Sequence, residues 1–154
     1  MNITRIVLAA AMTAGLGFTS LSAASASVTA TINIVNNNAA TTIYHAKNPP
    51  STQSDIFSRV GLSWSTMPPN SLLAGTSDST AKITLGANDY VKFTYGAPNS
   101  ASPFTAGCVF TVQANSAGNG LLPPSATKIS SASICGGSLP SGKPYNVEVT
   151  VGGF

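Results

Sequence analysis

Two apolar segments decide the fold: Gly107-Cys108-Val109-Phe110-Thr111-Val112-Gln113 and Ser133-Ile134-Cys135-Gly136-Gly137. The first places Cys108, Phe110 and Val112 on one side and Val109, Thr111 and Gln113 on the other. That alternation is the signature of a strand with one face against a core. Cys108 therefore points the same way as the large apolar residues. The chain holds two cysteines in all, so its partner is Cys135, and a bridge between them staples two layers. The closed loop of about 27 residues is worth roughly 3–4 kcal/mol by loop entropy. The competing reading is a pair of buried free thiols, and the redox compartment decides between the two.

The start of the chain speaks to that compartment. Residues 1–5 are short and positively charged, residues 6–21 are apolar and small, and Ala24-Ser25-Ala26 is a small-x-small cleavage site. This three-part pattern is a secretory signal peptide. Its apolar run is interrupted by Thr13, Gly15, Gly17, Thr19 and Ser20 and falls short of the roughly 20 apolar residues of a spanning helix. The sequence thus predicts a leader over residues 1–26 and one domain over 27–154, secreted to the extracellular space, periplasm or cell surface. No cysteine follows the apolar run, so a lipid anchor is not expected, and the alanine-rich style is bacterial. An oxidising destination favours the Cys108–Cys135 disulfide.

Charged residues make up 7% of the chain, against about 25% in ordinary globular domains. The apolar fraction is too high for disorder, and no segment after the leader is long and apolar enough to span a membrane as a helix. What remains is a surface of Ser, Thr, Asn and Gly. Losing Arg5 with the leader lowers the net charge from +3 to about +2. The remaining basic residues Lys47, Arg59, Lys82, Lys92, Lys128 and Lys143 are scattered without interleaved aromatics, so nucleic-acid binding is not indicated.

The alternation recurs outward from the cysteine strand. Residues 27–35 place Val28, Ala30, Ile32 and Ile34 on one face, and Asn36-Asn37-Asn38 ends the strand. Strands follow over 41–46, over 55–65 with a kink at Gly61, over 79–85 and over 90–95. The turn Gly86-Ala87-Asn88-Asp89 between the last two predicts a hairpin. After the cysteine strand comes a Gly/Asn/Pro loop over 114–124, then a segment over 128–135 that reaches Cys135. Beyond the turn Pro140-Ser141-Gly142-Lys143, Tyr145, Val147, Val149 and Val151 alternate with polar residues in a final strand. About seven to nine short strands at this spacing predict a single antiparallel, all-β sandwich.

Catalytic constellations are scarce. Four acids, Asp55, Asp78, Asp89 and Glu148, follow the leader, and nothing in their spacing pairs them as glycosidase carboxyls are paired. His45 is the single histidine and reads as a strand-end imidazole with ordinary solvation, not a base. With both cysteines bridged, no His/Cys cluster for a metal exists, and no cofactor is indicated. Gly61-Leu62-Ser63-Trp64-Ser65 lacks the second glycine of a nucleophile elbow. The chain ends in Phe154, as outer-membrane barrels do, but counting back in twos gives Gly152, Thr150, Glu148 and Asn146, the wrong parity for a lipid-facing side.

Two aromatics remain as candidate binding residues: Trp64, just before Met67-Pro68-Pro69, and Phe104, in a Pro-Phe-Thr loop. Each is either a core-edge anchor or a loop-tip contact for lipid headgroup, sugar or partner.

The succession Ile32-Asn33-Ile34-Val35-Asn36-Asn37, Trp64, Pro69-Asn70-Ser71-Leu72-Leu73-Ala74-Gly75-Thr76-Ser77 and the aromatic strand Tyr90 to Tyr95 resembles aegerolysin-like small β-sandwich proteins. The likeness covers the first two-thirds of the chain after the leader. It implies membrane-lipid recognition, with a partner protein for pore formation, and carries over no site residues. The expectation is a secreted, non-enzymatic binding protein that contacts lipid, glycan or a protein partner through aromatic loops. The alternative is a pilin-like surface subunit that donates residues 27–35 to a neighbour. A small secreted hydrolase ranks last.

Overall fold

The computed structural model describes residues 26–45, 63–98 and 104–154; most of the expected leader and of the kinked strand at 55–65 lie outside the described residues. Ten strands form among them: β1 (Ser27–Asn36), β2 (Ile43–His45), β3 (Ser63–Thr66), β4 (Ser71–Leu72), β5 (Ser77–Gly86), β6 (Tyr90–Ala97), β7 (Ala106–Gln113), β8 (Ser125–Lys128), β9 (Ile134–Ser138) and β10 (Tyr145–Gly152). They make two five-stranded sheets, ordered β3-β5-β1-β10-β9 and β4-β2-β6-β7-β8. The all-β sandwich expected from the alternation is the fold that forms.

The inward residues are the ones the alternation named. Val28, Ala30, Ile32 and Ile34 of β1, Ala81, Ile83 and Leu85 of β5, and Val147, Val149 and Val151 of β10 are buried on one sheet. Val91, Phe93 and Tyr95 of β6, and Cys108, Phe110 and Val112 of β7, meet them from the other. Phe93 is the hub: its ring lies 5.5 Å from Phe110, 6.5 Å from Tyr95 and 6.2 Å from Trp64. Offset and edge-on pairs of this kind add to plain area burial.

The Cys108–Cys135 disulfide is formed, with Cα atoms 5.7 Å apart. It joins β7 of one sheet to β9 of the other. Beside it the Gly107 amide donates to the Ser133 hydroxyl at 2.9 Å. The staple expected from sequence is therefore an inter-sheet one, on the side where the chain crosses from β8 to β9.

Two findings change the expected topology. First, β5 and β6 are not a hairpin. They lie in different sheets, and β6 pairs instead with β2 and β7. The turn at 86–89 carries the chain across the core. Asn88 sits at φ 61°, and the Asp89 carboxylate accepts from the Gly86 amide at 3.1 Å. A ladder between these strands would keep both apolar faces in one layer; the arch lets Leu85 and Val91 face each other across the interior. Second, one pair is parallel: β1 runs alongside β10 from Ala30↔Tyr145 to Asn36↔Val151, while β1 and β5 pair antiparallel. A parallel pair needs a long connection, and here nearly the whole domain supplies it.

His45 also departs from expectation. It is buried at the end of β2 with its ring 5.2 Å from Tyr95, not solvated. Pairing of β2 with both β6 and β4 covers it.

At the end of β1, Asn36 is fully buried. Its Nδ2 donates to the carbonyls of Thr41 and Leu72, both at 2.9 Å, and its Oδ1 accepts from the backbone amide and Nδ2 of Asn38. Asn38 Oδ1 in turn accepts the Phe154 amide at 3.0 Å. The asparagine run thus ties β1, β4 and the C-terminus together at one end of the sandwich.

Candidate functional site

A pocket of about 250 Å³ opens at the other end, where β1 begins and β10 begins; Ser27, Thr29, Asn119, Lys143, Pro144 and Tyr145 line it. The juxtaposition is a direct product of the parallel pair, which sets Tyr145 beside Ala30. Tyr145 belongs to the inward face of β10; it is half-buried against the core and also lines the opening. The turn at 140–144 delivers Lys143, whose Nζ stands 5.8 Å from the centre of the Tyr145 ring.

The opposite wall is the loop between β7 and β8, and it is held rigid. Asn115 Nδ2 donates to Asn119 Oδ1 at 3.0 Å, and Asn115 Oδ1 accepts the Asn119 amide at 3.2 Å. The Asn115 amide donates to the Gly120 carbonyl at 2.8 Å, and Tyr145 Oη donates to the Asn119 carbonyl at 3.1 Å. Gly118, at φ 68°, lies directly under the chain entering β1: a Cβ there would come 2.4 Å from the Ala26 carbonyl oxygen. Only glycine fits that combination of left-handed backbone and close approach. Wall and floor are thereby locked before any ligand arrives, which lowers the ordering cost of binding.

The site residues expected from sequence fall elsewhere. Trp64 is not at a loop tip; it lies on edge strand β3, half-buried, edge-on to Phe93. Phe104 is 8% exposed and packs over Gly96. Trp64 is in the same cross-sheet row as Ile83, Ala30 and Tyr145, three strand spacings or roughly 14 Å from Tyr145. Phe104 stands at the far end of β6 from the pocket, roughly 20 Å of strand away. The fold does not bring the two aromatics to one site. Pocket residues escaped the sequence reading because they come from three separated segments, 27–29, Asn119 and 143–145; a lone Lys-Pro-Tyr run and an Asn/Gly loop were the available signals.

The acids are engaged locally. Asp78 accepts from the amide and hydroxyl of Thr80 at 2.9 and 2.7 Å, Asp89 from Gly86, and Glu148 from Asn33 Nδ2 at 3.2 Å. Among the described residues no group of three or more His, Cys, Asp or Glu could hold a metal ion, and no helix is long and apolar enough to cross a membrane. Asp55 lies outside the described residues. Scanned against models of known protein families, the chain matches none. A search of curated proteins likewise returns no match.

Proposed function

We propose that this chain is a recognition module exported from the cell, and that it holds a glycan at the pocket beside Tyr145 without transforming it. One observation carries the reading: a half-buried aromatic ring shares an opening with amide, hydroxyl and ammonium groups on a prebuilt backbone. Sugar hydroxyls require such donors and acceptors, and the C–H face of a pyranose packs on an aromatic ring. Export is supported by the leader pattern and fits the disulfide. A binding rather than hydrolytic role is supported by the local engagement of Asp78, Asp89 and Glu148, since glycosidic hydrolysis sets two carboxyls about 5–9.5 Å apart across the bond.

A lipid surface is the second reading. Met67, just after β3, and Leu73, just after β4, are 54% and 67% exposed, and the aegerolysin-like resemblance points to the same ligand class. Strand donation by residues 27–35 is less favoured, because β1 is already paired on both edges within its own chain.

Glycan-array and liposome-flotation binding of the purified protein tests the proposal, with Trp64 emission as an internal reporter, since it is the one tryptophan. A pocket glycan binds and leaves the Trp64 spectrum unchanged. Flotation with a Trp64 shift transfers the function to the Met67–Leu73 edge. Binding to neither surface refutes a recognition role for both sites.

A further inference from the structure

We infer that the pocket selects a sugar ring bearing a carboxylate, with Lys143 as the specificity-determining residue. The inference rests on the glycan reading above and goes beyond it in assigning the charge of the ligand.

Charge is the first argument. None of the pocket's lining residues is acidic, and Lys143 is its one charged group. Lys143 forms no ion pair among the described residues; its Nζ stands over the Tyr145 ring instead. The nearest acid along β10, Glu148, is occupied by Asn33 on the outer face of the sheet. Asp89 is occupied by the Gly86 amide. The ammonium therefore presents a positive charge with no ion-pair partner among the described residues at the rim of the opening, where it attracts a bound anion.

Size and geometry are the second. A volume of about 250 Å³ falls below the usual range for drug-sized ligands and suits a single ring. A single ring held against Tyr145 comes within reach of the Lys143 ammonium, whose Nζ stands 5.8 Å from the centre of that aromatic ring. On the other side, Asn119 has its Oδ1 engaged by Asn115, which leaves its Nδ2 hydrogens for a ring hydroxyl. A carboxylate makes a charge-assisted hydrogen bond with an ammonium, roughly twice as strong as a neutral one. A hydroxymethyl at the same place makes only the neutral bond.

The test compares an oligogalacturonate with its methyl-esterified counterpart of equal length, by calorimetry and by amide chemical-shift mapping of the full mature protein. The expected result is binding of the acidic oligomer, tenfold or more tighter than the ester, with shifts at Asn119, Lys143 and Tyr145. Lys143→Gln removes the preference and brings acid and ester to equal affinity. Lys143 is exposed, so this variant folds; Tyr145→Phe, which keeps the ring, serves as a second variant that retains the charge preference. Equal binding of acid and ester overturns the charge assignment while leaving the glycan reading in place. Acid preference that survives Lys143→Gln overturns the role of Lys143. Failure of acidic glycans on an array that captures neutral ones overturns the inference alone, and failure of all glycans overturns both.

Discussion

Reduction of the Cys108–Cys135 bridge should cost the folded domain about 3.5 kcal/mol. The bridge closes a loop with a sequence separation of 27, and loop entropy in the denatured chain scales with the logarithm of that length. The Cα separation of 5.7 Å sits within the usual range for disulfides. Set against a total of about 5–15 kcal/mol for a single domain, this is a large share. For a domain of about 130 residues it corresponds to a fall in Tm of roughly 13 °C, or about 2 M in the urea midpoint. The assay is urea and thermal unfolding of the purified protein, oxidised and in reductant, followed by far-ultraviolet circular dichroism. A Cys108→Ala/Cys135→Ala double variant should lose about 1 kcal/mol more than reduction does, because Cys108 is fully buried and the truncation leaves space in the core. A loss on reduction below about 1 kcal/mol would refute the reasoning: it would mean that the β7-to-β9 segment is already confined in the denatured chain. The pocket lies at the opposite end of β7 from Cys108, so ligand binding should survive reduction below the lowered Tm.

Three further predictions follow from buried groups. Asn36→Asp should cost about 3 kcal/mol or more at pH 7, because it turns a donor toward two carbonyls into a buried acceptor-only anion; its folded pKa is then raised, so urea stability of this variant should recover as pH falls from neutral toward about 4, level off below that, and be lost again as pH rises. Burial, and next the Asp78 carboxylate, hold the Tyr95 phenol far above its ordinary range, with its hydroxyl donating to the Pro69 carbonyl. Stability should therefore be insensitive to this group below pH 10, where the unfolded phenol keeps its proton, and fall by about 1.4 kcal/mol per pH unit above it; Tyr95→Phe should remove that limb in alkaline urea titrations. Gly96→Ala should destabilise by roughly 1–3 kcal/mol, since its Cβ would stand 2.5 Å from the Ala106 carbonyl oxygen and 2.7 Å from the Phe104 ring; a thermal shift under 2 °C would show that the Phe104 segment yields freely.

Residue-by-residue alternation was enough to tell which side chains of β1, β5, β6, β7 and β10 face inward, because a strand's two-residue period is local and needs no knowledge of its neighbours. The same locality made the cysteine pairing legible: two thiols, one of them on an apolar face, leave one bridge. Pairing between strands is a different kind of property. Residues 79–95 read as a hairpin, wrongly: the turn chemistry of Asn88 and Asp89 serves an arch between layers as well, and the choice is made by where the apolar faces of β5 and β6 find cover. Likewise nothing near Ser27 or Tyr145 in the chain announces that β1 and β10 run side by side, or that His45 ends up on a strand between β4 and β6. The pocket inherits that non-locality. Its floor, its two walls and its one ammonium come from segments more than a hundred positions apart at the extremes, and only the burial of both sheet faces against each other brings them to a common mouth.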